Sequence, residues 1–391
     1  MQNYMIGILI LTICMGGCAR TLPPREELTQ AVTKSFAASG FNYTSKSRIT
    51  DLNVPRKDLP KMPGKKTNLA LDKGLEVLDS LSVTLDGAVD TTAKRSQVLY
   101  ALRYERDNLE ISVKLPILMD YGTQTVYLGT SIYTTVLESL YPQAPPTRGK
   151  LIRIDLNKLL QEGTAKKPEL AKVVGSNLLN GKNIDLINNA IKAAVLKELP
   201  KLKEDCFRDQ PLSDQDRQAG VIRRIRVDLG RSESVSLALG AMESVVEALY
   251  QQQIIPEQVY TVLLTLTDPK FAEEAMEKLS INATFHVGIA PSGQVAYVEG
   301  QYDMADRQEQ FRVGVETVST FSNYGAPRFT LLPEQSGVVD FTELLKVIAV
   351  SAQEKKADVD ASNAEEIDET SKDGALDTKG DVWLQGADVA L

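Results

Sequence analysis

The sequence predicts an α+β fold: antiparallel meanders of one-sided strands, helices between them, and an acidic C-terminal tail outside the core. Three observations carry this. Several short runs alternate apolar with polar residues, two longer segments repeat apolar residues at helical spacing, and the composition changes altogether from Ser351 onward. Period-two alternation marks strands with one buried and one wet face, and short connections between such runs favour antiparallel pairing.

In chain order, "TLPPREELTQAVTKSFAASG" opens on a proline pair and then places Leu28, Val32 and Phe36 on one helical stripe, with Gly40 as its stop. Strands follow at 81–85, 97–104 and 109–115; in the last, Leu109, Ile111, Val113 and Leu115 alternate with Glu110, Ser112 and Lys114. Residues 166–205 read as a helix, with Leu178, Leu179, Ile184, Ile187, Ile191 and Val195 near helical spacing, an interruption at Gly181 and an end at Pro200. A second helix runs from Glu233 to Gln251 along Val235, Leu239, Met242, Val246 and Leu249. Alternation returns at 225–229, 260–268, 279–287, 294–303 and 310–318, each predicting a strand. "VIRRIRV" at 221–227 reads as a short edge strand rather than a basic patch.

Two stretches repeat loosely. "LEVLDSLSVTLDGAV" is similar to "EEAMEKLSINATFHV", Tyr121-Gly122 is answered by Tyr324-Gly325, and "IDLNKLL" by "VDFTELL". The body, residues 26–350, accordingly reads either as one unit or as two related halves, 26–205 and 206–350.

The N-terminus carries an address. Tyr4 to Met15 is almost wholly apolar over twelve residues, short of the roughly 20 that a spanning helix needs and fitting the apolar region of a secretory signal. Met15-Gly16-Gly17-Cys18 follows and resembles the lipobox of bacterial lipoproteins. That resemblance implies a signal peptide over 1–17, diacylglycerol on the sulfur of Cys18, a tether over 18–25, and a membrane as partner. Ala19, in place of Asp, implies the outer membrane, facing the periplasm. Several acyl chains on one residue hold more firmly than a single myristoyl group.

Of the three cysteines, Cys14 leaves with the signal and Cys18 takes lipid, so Cys206 remains without a disulfide partner and the fold must stand on its core. The formal charge is −8, and residues 351–391 hold eleven Asp and Glu against four Lys, which leaves −1 for residues 18–350. Such a tail cannot offset its ordering entropy and reads as disordered. Near its end "DVWLQGADVAL" holds the only tryptophan, Trp383, beside Val382 and Leu384, which reads as a short docking anchor or as chance.

The element order, with "GKLIRIDLNKLL" at 149–160 and "FSNYGAPRFTLLPEQSGVVDFTELL" at 321–345, resembles the Lol-type lipoprotein carriers and the LppX/LprG lipoproteins. The resemblance covers about residues 26–346 and implies a curved antiparallel half-barrel with helices on its concave side, enclosing room for a lipid or acylated ligand. It assigns no ligand-binding residue.

No G-x-S-x-G elbow, P-loop, H-E-x-x-H or CxxC occurs, and His286, the only histidine, lies mid-strand between Phe285 and Val287. The expectation is therefore a non-enzymatic chain without catalytic residues, metal or cofactor. Its acidic balance argues against nucleic acid. Two functions stay open: an envelope lipoprotein that binds or carries a hydrophobic ligand, and an assembly lipoprotein that contacts other envelope proteins.

Overall fold

The computed structural model describes residues 22–54, 77–78, 80–106, 108–159, 161, 181–267, 279–306 and 311–351. In chain order the elements are α1 (Pro24–Phe36), β1 (Gly40–Asn53), β2 (Leu81–Asp90), β3 (Arg95–Arg106), β4 (Leu109–Asp120), β5 (Thr125–Leu128), α2 (Ile132–Leu140), β6 (Lys150–Asp155) and α3 (Gly181–Glu198). Then come β7 (Phe207–Gln210), α4 (Asp214–Gln218), β8 (Arg223–Leu229), α5 (Arg231–Gln251), α6 (Glu257–Leu266), β9 (Leu279–Ile289), β10 (Val295–Asp306), β11 (Arg312–Ser322) and β12 (Gly337–Asp340). A last helix, α7, covers 341–351.

All strands join one open, curved twelve-stranded sheet in the order β12-β6-β5-β4-β3-β2-β1-β11-β10-β9-β8-β7. Every pairing is antiparallel except β12 with β6. Within this order β1–β4 and β8–β11 form two four-stranded meanders laid side by side, with β1 sealed against β11. The loosely repeated stretches fall on β2 and β9, the second strand of each meander.

Register sorts the side chains onto two faces. Leu85 of β2 stands opposite Tyr100 of β3 and Ser45 of β1, Tyr100 opposite Leu115, and Ser45 opposite Ser319 of β11. Onward, Ser319 meets Val298 of β10, Val298 meets Val287 of β9, and Val287 meets Ile225 of β8. These residues share one face, here the inner face, because successive side chains of a strand point to opposite sides.

The inner face is roofed at both ends. Over β7–β10, Leu28 and Ala31 of α1 and Leu202 pack on Phe207, Ile225, Val227, Leu229, Ala283 and Val287. There α5 lies on β8 and β9, and α3 packs on α5. Pro24 opens α1 where a missing N–H costs nothing, and Glu26, Glu27 and the terminal Lys34 complement its dipole. At the far end Ala144, Leu344, Tyr133 and Val347, from α2, the loop after it and α7, cover Leu128, Ile152 and Val339 of β5, β6 and β12.

The opposite, outer face carries a strap. Between β11 and β12 the chain must pass seven strand spacings, about 34 Å, and after Tyr324 at the sheet's end residues 325–336 do this across the outer face. Two side-chain amides hold it. Asn42 accepts from the Arg328 N–H at 2.8 Å and donates to the Arg328 carbonyl at 2.8 Å. Gln97 accepts from the N–H groups of Thr330 at 2.9 Å and Leu331 at 2.7 Å, and donates to the Thr330 hydroxyl at 2.6 Å. Ala88 and Leu118 are fully buried beneath. This crossing delivers β12 parallel to β6, so the expected closing strands at 321–345 reduce to 337–340.

Several expectations need correction. Of the strand expected at 260–268, residues 260–266 belong instead to helix α6, which ends at Leu266, and residue 268 lies outside the described part. The Thr261 and Thr265 hydroxyls donate to the carbonyls of Glu257 and Thr261 at 2.9 Å each, and Tyr260 stacks on Tyr250 with ring centroids 4.0 Å apart. Hydroxyls bonded to carbonyls four residues back satisfy a helix that β-branched residues only weakly oppose. The strand β8 is no edge, since β7 and β9 flank it. The helix α3 is described from Gly181 onward, and residues 162–180, with Leu178 and Leu179, lie outside the described part. Pro24 and Arg25, expected in the tether, already belong to α1, where Arg25 donates to the Leu202 carbonyl at 2.9 Å.

Candidate functional site: an uncharged face between two roofs

Between the roofs, strands β1–β4, β10 and β11 leave inner-face side chains exposed. Tyr100, Leu102, Leu109, Ile111 and Tyr302 all point to it by register and keep 40, 43, 54, 48 and 42 % of their surface exposed. Exposed apolar surface of this kind marks an interaction site.

One end of this trough is closed by aromatic rings. Phe41 sits 6.2 Å from Tyr43, 6.0 Å from Phe321 and 5.9 Å from Tyr324, and the Tyr324 hydroxyl donates to the Val295 carbonyl at 2.7 Å. Tyr43 lies flat over Gly87, where an added Cβ would come within 2.3 Å of its ring. Burial, then the nearby phenols of Tyr100 and Tyr121, pushes the Tyr43 hydroxyl above its ordinary pKa. Burial does the same to Tyr302, whose ring meets Phe285 edge-on at 5.4 Å. Both phenols therefore stay neutral at physiological pH.

Charge separates the two faces. The outer positions of these strands carry Lys46, Arg48, Asp86, Arg103, Glu105, Glu110, Lys114, Glu299, Asp303 and Glu316, while the inner positions from Tyr43 to Ile49, Leu81 to Val89, Val98 to Tyr104 and Val298 to Met304 hold no charged residue. The first inner-face charges are Arg106 and Asp306, at the strand ends. An uncharged ligand can lie on this surface without stripping water from an ion.

Along the middle, where the meanders meet, the apolar character breaks. The Ser319 hydroxyl donates to Ser45 at 2.8 Å, and the Ser47 and Thr317 hydroxyls share a hydrogen bond at 2.9 Å. These four half-buried groups form a polar seam across an otherwise apolar floor. Alternation alone did not reveal β1 or its seam, because hydroxyls occupy inner positions where the pattern demands apolar residues.

Elsewhere the chemistry is structural. Cys206 is buried, and burial followed by the neighbouring Asp205 and Glu233 raises its thiol pKa, opposite to what a nucleophile needs. His286 faces outward on β9, its pKa lowered by burial and then by Arg224, with its Nδ1 lacking a hydrogen-bond partner. Asp216 caps α4, accepting from Tyr297 at 2.6 Å and from Ser213 at 2.7 Å, with Arg224 at 3.3 Å. Asn42, within a glycosylation-type sequon, spends its amide on the strap. Among the described residues there is no cluster of three His, Cys, Asp or Glu fit to hold a metal, and no helix long and apolar enough to cross a membrane. Cys18, the signal over 1–17, Trp383 and the tail from residue 352 lie outside the described residues.

No protein-family model matches the sequence, and no curated protein matches it. Among solved structures, one concerned with lipid–protein interactions in lipovitellin is similar over 76 % of this chain, at 10 % identity and a TM-score of 0.22. The match spans only 26 % of that other chain. A likeness of this degree carries neither fold nor function across.

Proposed function

We propose that the protein is a lipid-anchored lipoprotein of the bacterial envelope that binds or carries a hydrophobic ligand on the inner face of its sheet, without enzymatic activity. One observation carries the reading: an exposed, uncharged apolar floor between two helical roofs, on strands whose other face is charged. Each methylene removed from water contributes about 0.8 kcal/mol, so about eight methylenes laid on this floor contribute roughly 6 kcal/mol before ordering costs. The Lol-type and LppX/LprG carriers use a comparable plan, a curved sheet with helices on one side. The anchor rests on Tyr4–Met15 and on the Gly16-Gly17-Cys18 run. Cys18 would then hold the body at the outer membrane, facing the periplasm.

Binding of N-phenyl-1-naphthylamine, an uncharged probe that brightens in apolar surroundings, tests the ligand site. Saturable binding that an inner-face charge abolishes supports it; no binding, or binding indifferent to that charge, rejects it. For the anchor, palmitate label should enter the native chain and not the Cys18→Ser variant, and label persisting in that variant rejects lipidation there.

A second reading has its own observation. Ile132, Val136 and Leu140, one stripe of α2, are 60, 51 and 56 % exposed. A contact with another envelope protein along this stripe would make the chain an assembly component. Co-purification of a stoichiometric partner that is lost on Val136→Glu would favour it.

A further inference from the structure

Resting on the ligand site just proposed, we infer that its ligand is an uncharged two-chain lipid of the acylglycerol class, whose ester carbonyls accept hydrogen bonds from the hydroxyl seam between β1 and β11.

The hydroxyls set this chemistry. Ser319 spends its hydrogen on Ser45, so the Ser45 hydroxyl hydrogen has no acceptor among the described residues. In the Ser47–Thr317 pair one hydrogen lies between the two oxygens, whichever donates, and the other has no acceptor among the described residues. Each pair therefore offers one spare donor. With the trough open, water takes it. Once a ligand covers the floor that water is displaced, and a donor left without an acceptor costs about tenfold in affinity. A pure hydrocarbon lying across the seam incurs this twice, whereas a ligand with two acceptors there does not.

Spacing and charge narrow the class. The pairs sit two residues apart along β1, about 6.7 Å, which two ester carbonyls on one three-carbon unit can span. On each side lies an apolar lane, Leu85, Tyr100 and Leu102 on β2–β3, and Phe285 and Tyr302 on β9–β10. In this proposed pose one acyl chain lies along each lane. No cation faces the seam from the inner positions of β1, β2, β10 or β11 until the strand ends, so a phosphate or free carboxylate would lie there uncompensated.

The experiment uses the full chain with N-phenyl-1-naphthylamine bound, displaced by dioctanoylglycerol or by dioctylglycerol, its ether counterpart without carbonyls. The ether oxygens are weaker acceptors than ester carbonyls, so the diester should displace the probe at a concentration at least about tenfold below that of the diether, short of the roughly hundredfold that two wholly unpaired donors would cost. With all four hydroxyls removed, in Ser45→Ala/Ser47→Ala/Thr317→Val/Ser319→Ala, this preference should vanish while circular dichroism stays unchanged. Equal displacement by diester and diether in the native chain overturns the inference and leaves the ligand site standing, as does a preference that survives removal of all four hydroxyls. Failure of the probe to bind at all removes the site itself. If the fourfold variant does not fold, the native diester–diether comparison still decides.

Discussion

Gln97 offers the sharpest test of how the strap is held. It is 6 % exposed, and its amide makes three hydrogen bonds to the strap, at 2.9, 2.7 and 2.6 Å. Gln97→Met keeps a side chain of similar length and volume, so little cavity forms, but it removes all three bonds. A net hydrogen bond contributes about 0.5–1.5 kcal/mol, and the strap's two N–H groups lose their acceptor, so the loss should be about 3 kcal/mol. Urea unfolding of the purified protein should show it as a lower midpoint at unchanged slope. In parallel, the amides of Thr330 and Leu331 should exchange with deuterium far faster than in the native chain. A loss below about 0.5 kcal/mol with unchanged exchange at both amides would show that the strap is held by something other than Gln97.

Two glycines should differ in sensitivity. At Gly40 a Cβ would meet the Val89 carbonyl at 2.4 Å and Pro327 at 2.7 Å, whereas at Gly87 it meets only the movable ring of Tyr43; Gly40→Ala should therefore lower stability by about 3 kcal/mol and Gly87→Ala by about 1 kcal/mol in the same urea assay. Leu102→Glu, at a half-exposed position, should change stability by less than about 1 kcal/mol yet cut probe affinity at least about tenfold by placing an ion on the apolar floor. Asp340 has its pKa lowered from 3.8 to about 2 by hydrogen bonds from Thr342 and Arg153. Its contribution is therefore complete above about pH 4 and is lost as pH falls toward about 2, so protection of the β12–β6 amides should fade over that window and Asp340→Asn should abolish the pH dependence.

The strands with apolar inner positions were legible from alternation, since Leu81, Val83 and Leu85 or Leu109 to Leu115 match a one-sided sheet directly. The structure extends them, to Asp90 for β2 and to Asp120 for β4. β1 was not legible: in "FNYTSKSRI" the inner side chains include Ser45 and Ser47, whose partners lie on β11 about 270 residues later. The same non-local cause hid the strap. Asn42 and Gln97 look like ordinary polar strand residues until residues 328–331 arrive above them. Local reading failed at 260–266 for the opposite reason, because Thr interleaved with Val and Leu imitates a strand while the hydroxyls bond back within a helix. Of the candidate site, the apolar lanes could be read from the sequence; their meeting on one uncharged face between two roofs depends on the sheet order.

The most direct measurement is mass spectrometry of the organic extract of the chain purified from a bacterial envelope, alongside Leu102→Glu prepared identically. The account predicts an uncharged lipid in stoichiometric amount with the native chain and its loss from the variant. A lipid-free native chain, or equal lipid in both preparations, would contradict a ligand on the inner face.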